Sequence, residues 1–182
     1  MTIPNIITLG RLLSVPVIVW VLLSGFIELG FWLFMVAAVS DGVDGFIAKR
    51  FNSASALGAY LDPIADKVLL VSIYISLGQA NLLPLWLVIL VVSRDILIVG
   101  AVILSFAMDQ HIKMSPLMIS KINTFAQIGL ATIVMSEGAF NWSAGMFGIG
   151  LIMVVAVSTV MSGSAYMFNW IRATGGEQGN DR

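Results

Sequence analysis

Six apolar runs, parted by short polar breaks, constrain this chain more than any other feature. They fall at roughly 6–24, 28–48, 58–79, 83–107, 116–136 and 144–170. Each is close to the ~20 residues that carry a helix across a bilayer core. Backbone N–H and C=O groups in hydrocarbon need partners inside their own segment, so each run is predicted to be helical. The expected fold class is an all-α integral membrane protein with six transmembrane helices. The breaks carry turn or polar residues: Ser24-Gly25, Asn52-Ser53, Gln79-Ala80-Asn81, Asp109-Gln110-His111 and Glu137-Gly138. With 59% hydrophobic and 10% charged residues, the composition departs from that of a soluble domain.

The chain has no cysteine, which removes disulfide and thiolate chemistry. Its net charge is −1 and it has no basic run, so nothing points to nucleic acid. The start, Met-Thr-Ile-Pro-Asn, lacks a basic segment, and no small-residue cleavage site follows, so the first run is expected to be retained. Residues 1–172 are expected to form one membrane domain and 173–182 a disordered cytoplasmic tail. Lys49, Arg50 and Lys113 follow the second and fourth runs, and Arg172 and Arg182 follow the sixth. The breaks after the first, third and fifth runs carry no Lys or Arg. The positive-inside rule then places both termini in the cytoplasm, with a bacterial inner (cell) membrane as the expected location.

Acidic residues are concentrated at the end of the second run and the start of the third. Asp41, Asp44, Gly45 and Ala48 fall at i, i+3, i+4 and i+7, one face of a helix. Gly58, Asp62, Ala65 and Asp66 do the same at i, i+4, i+7 and i+8. Each helix thus bears an acidic stripe with small residues beside it, which leave room for a bulky ligand. Two such stripes face to face make an oxygen-rich cage suited to a hard divalent cation such as Mg²⁺. Solvated loop acids are the plainer reading, but the cost of carboxylates at membrane depth argues against it. Lys49 and Arg50 directly follow the first stripe, and a basic pair beside metal-binding carboxylates suits a phosphate or diphosphate.

This stretch closely resembles the signature of the CDP-alcohol phosphatidyltransferases, D-x2-D-G-x2-A-R-x8-G-x3-D-x3-D. It falls on Asp41, Asp44, Gly45, Ala48, Lys49, Gly58, Asp62 and Asp66 with every spacing kept. Lys49 stands where the family usually has Arg, which keeps the charge but loses the bidentate fork unless Arg50 substitutes. The opening P-N-x-x-T-x-x-R is similar to the start of the family's phosphatidylglycerophosphate and cardiolipin synthases. The resemblance implies a cytoplasm-facing cavity and transfer of a phosphatidyl group from CDP-diacylglycerol to an alcohol, with release of CMP. It further implies two divalent ions, Mg²⁺ or Mn²⁺, on Asp41, Asp44, Asp62 and Asp66, with Asp66 also the catalytic base. Gly45, Ala48 and Gly58 would leave space for the nucleotide, and Lys49, Arg50 and Arg11 would lie near the diphosphate. A homodimer is implied as well.

Other polar residues read less sharply. Asn5, Thr8 and Arg11 share one helix face, which also fits a capping residue and a snorkelling Arg. Pro16 is expected to kink the first helix, and Pro63 to kink or start the third. Lys67 reads as a structural ion-pair partner. Arg94-Asp95 stands mid-run, where charge is costly; it is either a buried pair or a lining of the acceptor cavity. Ser120, Asn123, Thr124 and Gln127 form one polar face expected to point inward, and Lys121 beside them is assigned to the acceptor side. His111 is expected in a solvated loop, and Tyr166, Asn169 and Trp170 as interfacial anchors.

The acceptor is read from the fourth run. Family members that take glycerol 3-phosphate often show R-E-x6-R-E-W there. This chain has Arg94-Asp95, and Val102 at the second Arg position. The text around Arg94 and Lys121 looks more like the eukaryotic-type cardiolipin synthases, which favours phosphatidylglycerol, with glycerol 3-phosphate as the alternative. A cation or proton-coupled transporter is the non-enzyme alternative. Its sites usually lie at the midplane between inverted repeats, and the chain shows neither feature.

Overall fold

The computed structural model describes residues 3–51, 56–107 and 118–175, with side chains described within 8–40, 65–100 and 118–168. Six helices follow in order: α1 Ile3–Leu23, α2 Ile27–Phe51, α3 Ala56–Gln79, α4 Leu85–Ala107, α5 Met118–Phe140 and α6 Met146–Gly175. No strand occurs among the described residues. Among them, Met118–Phe140 and Met146–Phe168 are long and apolar enough to cross a membrane.

The helices pack as a closed ring in the order α1, α3, α4, α6, α5, α2, and α3 also touches α5 across the middle. Within the ring, Ile18, Phe34, Ile73, Tyr74, Leu77, Leu87, Val91, Leu130, Met135 and Val155 are completely or almost completely buried. The outside is apolar too. Leu13, Val17 and Trp20 are exposed on α1, as are Ile149, Met153, Val157 and Val160 on α6. Helices that are apolar on every side suit a lipid surround, not water. On α1 the buried stripe runs Thr8, Arg11, Val15, Ile18, Leu22, alternating three and four residues apart.

Two of the expected breaks close as Schellman caps. Gly25 is left-handed at φ 85°; its N–H meets the Leu22 carbonyl at 3.0 Å, and Phe26 N–H reaches Val21 at 3.1 Å. Asn81, at φ 57°, repeats the pattern, with its N–H on Gly78 at 3.1 Å and Leu82 N–H on Leu77 at 2.9 Å. The break expected at Glu137-Gly138 lies instead at Asn141, which is left-handed at φ 52°. Gly138 is a packing point within α5, since a Cβ there would stand 3.1 Å from Ile27 Cγ2. Glu137 holds the following turn by accepting a hydrogen bond from Ala144 N–H at 2.5 Å. α1 continues through Pro16, and α3 begins at Ala56, ahead of Pro63.

Candidate active site

α1, α2 and α3 bring their signature-bearing parts to one end of the bundle. α2 ends with Asp41, Asp44, Gly45, Ala48, Lys49 and Arg50, and α3 begins with Gly58 and Asp62. Both segments are helical, so the two acidic registers expected from spacing exist on the backbone. The side chains of these eight residues lie outside the described residues. Among the described residues, α2 and α3 do not pack directly on each other; α1 and α5 each touch both.

The fourth signature acid is described. Asp66 is partly open, its side chain 39% exposed, and it accepts a hydrogen bond and ion pair from Arg11 Nη1 on α1. Arg11 itself is buried, as is Thr8 one turn earlier, so these two residues of the shared α1 face turn inward. A buried guanidinium needs an anionic partner, and removing that partner is costly. The opening motif and the acidic signature, 55 residues apart in sequence, therefore meet in space.

A second charged cluster starts one residue further on. Lys67 Nζ donates to Asp95 Oδ1 at 2.8 Å, and Arg94 Nη1 donates to the same oxygen at 2.5 Å. Arg94 Nη2 donates to Ser120 Oγ on α5 at 2.7 Å and to Ser162 Oγ on α6 at 2.6 Å. The Tyr166 ring lies 6.0 Å from the guanidinium carbon, so this residue, expected as an interfacial anchor, packs near Arg94. Arg94 and Asp95 are 3% and 2% exposed. The cluster ties four helices together, and the expected ion pair of Lys67 is present.

On α5, Asn123 and Gln127 are fully buried, as the inward polar face predicts. Asn123 Oδ1 accepts from Ser158 Oγ at 2.7 Å and Thr159 Oγ1 at 2.9 Å, and Tyr74 Oη donates to the main-chain carbonyl of Gln127 at 3.0 Å. Thr124 instead bonds back to the Ser120 carbonyl at 3.1 Å. Lys121 is exposed beside this face. Sequence reasoning missed the partners on α6. Ser158, Thr159 and Ser162, at i, i+1 and i+4 in an otherwise apolar run, were the available signal. His111 and the side chains of Asn169 and Trp170 lie outside the described residues.

The donor set fits a divalent cation in kind: four carboxylates, hard oxygen ligands, and no thiolate anywhere in the chain. Among the described residues no three His, Asp or Glu side chains come together. Only Asp66 of the four acids is among them.

The chain is similar to known proteins over most of its length. The family model for CDP-alcohol phosphatidyltransferase matches residues 1–168. A Drosophila melanogaster protein named probable cardiolipin synthase (CMP-forming) is 41% identical over 159 residues, covering 79% of this chain and 49% of that protein. A Rattus norvegicus cardiolipin synthase (CMP-forming) is 32% identical over 181 residues, covering 91% of this chain and 60% of its own. The chain thus spans about half the length of these curated relatives. A Bacillus subtilis CDP-diacylglycerol–glycerol-3-phosphate 3-phosphatidyltransferase is 30% identical over 184 residues, covering 92% of this chain and 94% of that protein. The family is membrane-bound and generally uses a divalent metal. With the signature spacing kept, the opening motif brought against it, and a family match over all but the last residues, the chain belongs to the CDP-alcohol phosphatidyltransferase family.

Proposed function

We propose that this protein transfers a phosphatidyl group from CDP-diacylglycerol to the free hydroxyl of phosphatidylglycerol, releasing CMP and forming cardiolipin. The observation that carries this reading is the eight-position signature on the α2 and α3 ends, with Asp66 held by Arg11. Asp41, Asp44, Asp62 and Asp66 are the residues that would hold divalent metal, Mg²⁺ or Mn²⁺, two ions by family likeness. Bound there, the metal supplies charge neutralisation for the diphosphate. Lys49, Arg50 and Arg11 add positive charge on the same ligand, and Gly45, Ala48 and Gly58 leave it room. Asp66 takes the proton of the acceptor hydroxyl as its oxygen bonds to the phosphatidyl phosphorus and the bond to CMP breaks. Arg94 and Lys121 belong to the acceptor side.

Glycerol 3-phosphate is the second reading, favoured by the near full-length match to the Bacillus subtilis relative. The lack of a second α4 cation at Val102 favours phosphatidylglycerol. The deciding experiment gives purified protein CDP-diacylglycerol with each acceptor in turn and identifies the lipid product by mass spectrometry. Phosphatidylglycerol should yield cardiolipin with equal CMP. Phosphatidylglycerophosphate from glycerol 3-phosphate would select the alternative, and no CMP with any alcohol would sink the transferase. EDTA should stop turnover and Mg²⁺ or Mn²⁺ restore it; full activity in a metal-free preparation would remove the metal from the scheme.

All six helices are proposed to span the bacterial inner membrane, with both termini cytoplasmic and two such chains forming a homodimer. The turns at Asn81 and Asn141 lie at the end of the bundle opposite the signature and are exposed. In this cysteine-free chain, a single cysteine at either position should label with an impermeant maleimide from outside cells, and one at Ser53 should not. The reverse pattern would invert the topology.

A further inference from the structure

We propose that Lys67 holds the acceptor's phosphate and so makes the enzyme select phosphorylated over plain alcohols. This rests on the transferase reading above and adds to it a residue that the signature does not contain.

Charge balance is the first argument. Among the described residues, Arg11 is matched by Asp66, while Lys67 and Arg94 share the single carboxylate of Asp95. Asp95 alone does not neutralise both cations, and a phosphate is a suitable second counterion for the pair.

Availability is the second argument. Arg94 is 3% exposed, and both its Nη atoms already donate to partners on α4, α5 and α6. Reaching it would mean breaking bonds that join three helices. Lys67 is 26% exposed, and an ammonium has three donors, of which Asp95 takes one. Asp95 fixes the ammonium in place while leaving donors for a ligand.

Position is the third argument. Lys67 follows Asp66 directly, and both side chains are open in part. Adjacent residues on a helix diverge by about 100°. Here Asp66 leans to Arg11 on α1 and Lys67 to Asp95 on α4, the two helices flanking α3. A ligand arriving between them meets the carboxylate on one side and the ammonium on the other. Glycerol 3-phosphate and phosphatidylglycerol share the matching chemistry: a free hydroxyl at one end of a glycerol and a phosphate at the other.

The test compares wild type with Lys67→Met and Lys67→Arg, using CDP-diacylglycerol with glycerol, glycerol 3-phosphate and phosphatidylglycerol as separate acceptors. The readout is the ratio of kcat/KM for each phosphorylated acceptor to that for glycerol. Wild-type CMP release, measured first, decides the transferase reading independently. Lys67→Met should lower the ratio about tenfold or more, the scale of one charge-assisted hydrogen bond, in whichever phosphorylated arm the wild type uses. Lys67→Arg should keep most of the preference. A merely structural role for Lys67 would depress glycerol and its phosphate equally and leave the ratio unchanged. That result, or a loss confined to CDP-diacylglycerol affinity, would overturn the assignment while leaving the transferase intact.

Discussion

Asp66→Asn is expected to cut turnover by roughly 10²–10⁴-fold, the range of a lost general base. It should leave CDP-diacylglycerol affinity within a few-fold of wild type. The asparagine oxygen can still accept the Arg11 hydrogen bond, so the α1–α3 contact survives while the proton acceptor is lost. Asp41→Asn and Asp44→Asn should weaken nucleotide-lipid binding as well as rate, because losing a ligand charge loosens the ion that holds the diphosphate. The measurement is nucleotide-lipid affinity beside the single-turnover rate for each variant. Near-normal turnover in Asp66→Asn would show that Asp66 is not the base. A binding loss as severe as that of Asp44→Asn would make it a metal ligand only.

The second large effect falls on stability. Asp95→Leu removes the carboxylate from a guanidinium that is 96% buried at its side chain. The expected cost is about 3–5 kcal/mol, as for other buried ion pairs broken from one side. Lys67, being partly open, can turn its ammonium outward and adds little to that cost. The double variant Arg94→Met with Asp95→Leu removes both charges and should recover most of the loss, because no charge is then left buried without its partner. Thermal unfolding in detergent, with the two single variants and the double, reads the coupling. Wild-type-like stability in Asp95→Leu would show that the cluster does not hold α3, α4, α5 and α6 together. Additive losses in the double variant would mean that the two side chains act independently.

Much of this was legible before any coordinates. Segment lengths near a bilayer's thickness foretold six helices, because hydrocarbon leaves a backbone no other partner but itself. The ends shifted by only a few residues where Gly25 and Asn81 take left-handed caps. The Glu137-Gly138 break was misplaced because a helical glycine packed against a neighbour has the same letter as a turn glycine, and only Ile27's approach tells them apart. The acidic registers were legible because helical spacing is a local property. So was the inward face of α5, because amides in an apolar run need polar company.

The sequence by itself determined the helices, the acidic signature and the family, since each depends on residues close together along the chain or on a pattern of fixed spacing. Only the tertiary structure decided partners. It set Arg11 on Asp66 across 55 positions, gave Asp95 to both Lys67 and Arg94, and brought Ser120 and Ser162 to one guanidinium. Which buried charge meets which is settled by how the helices close into a ring, and no local spacing encodes that closure. The consequence is specific: Arg94, which reads from its position as either a buried pair or a lining of the acceptor cavity, is engaged by its own bundle, whereas Lys67, which reads as a structural ion-pair partner, is paired with Asp95 and still partly open.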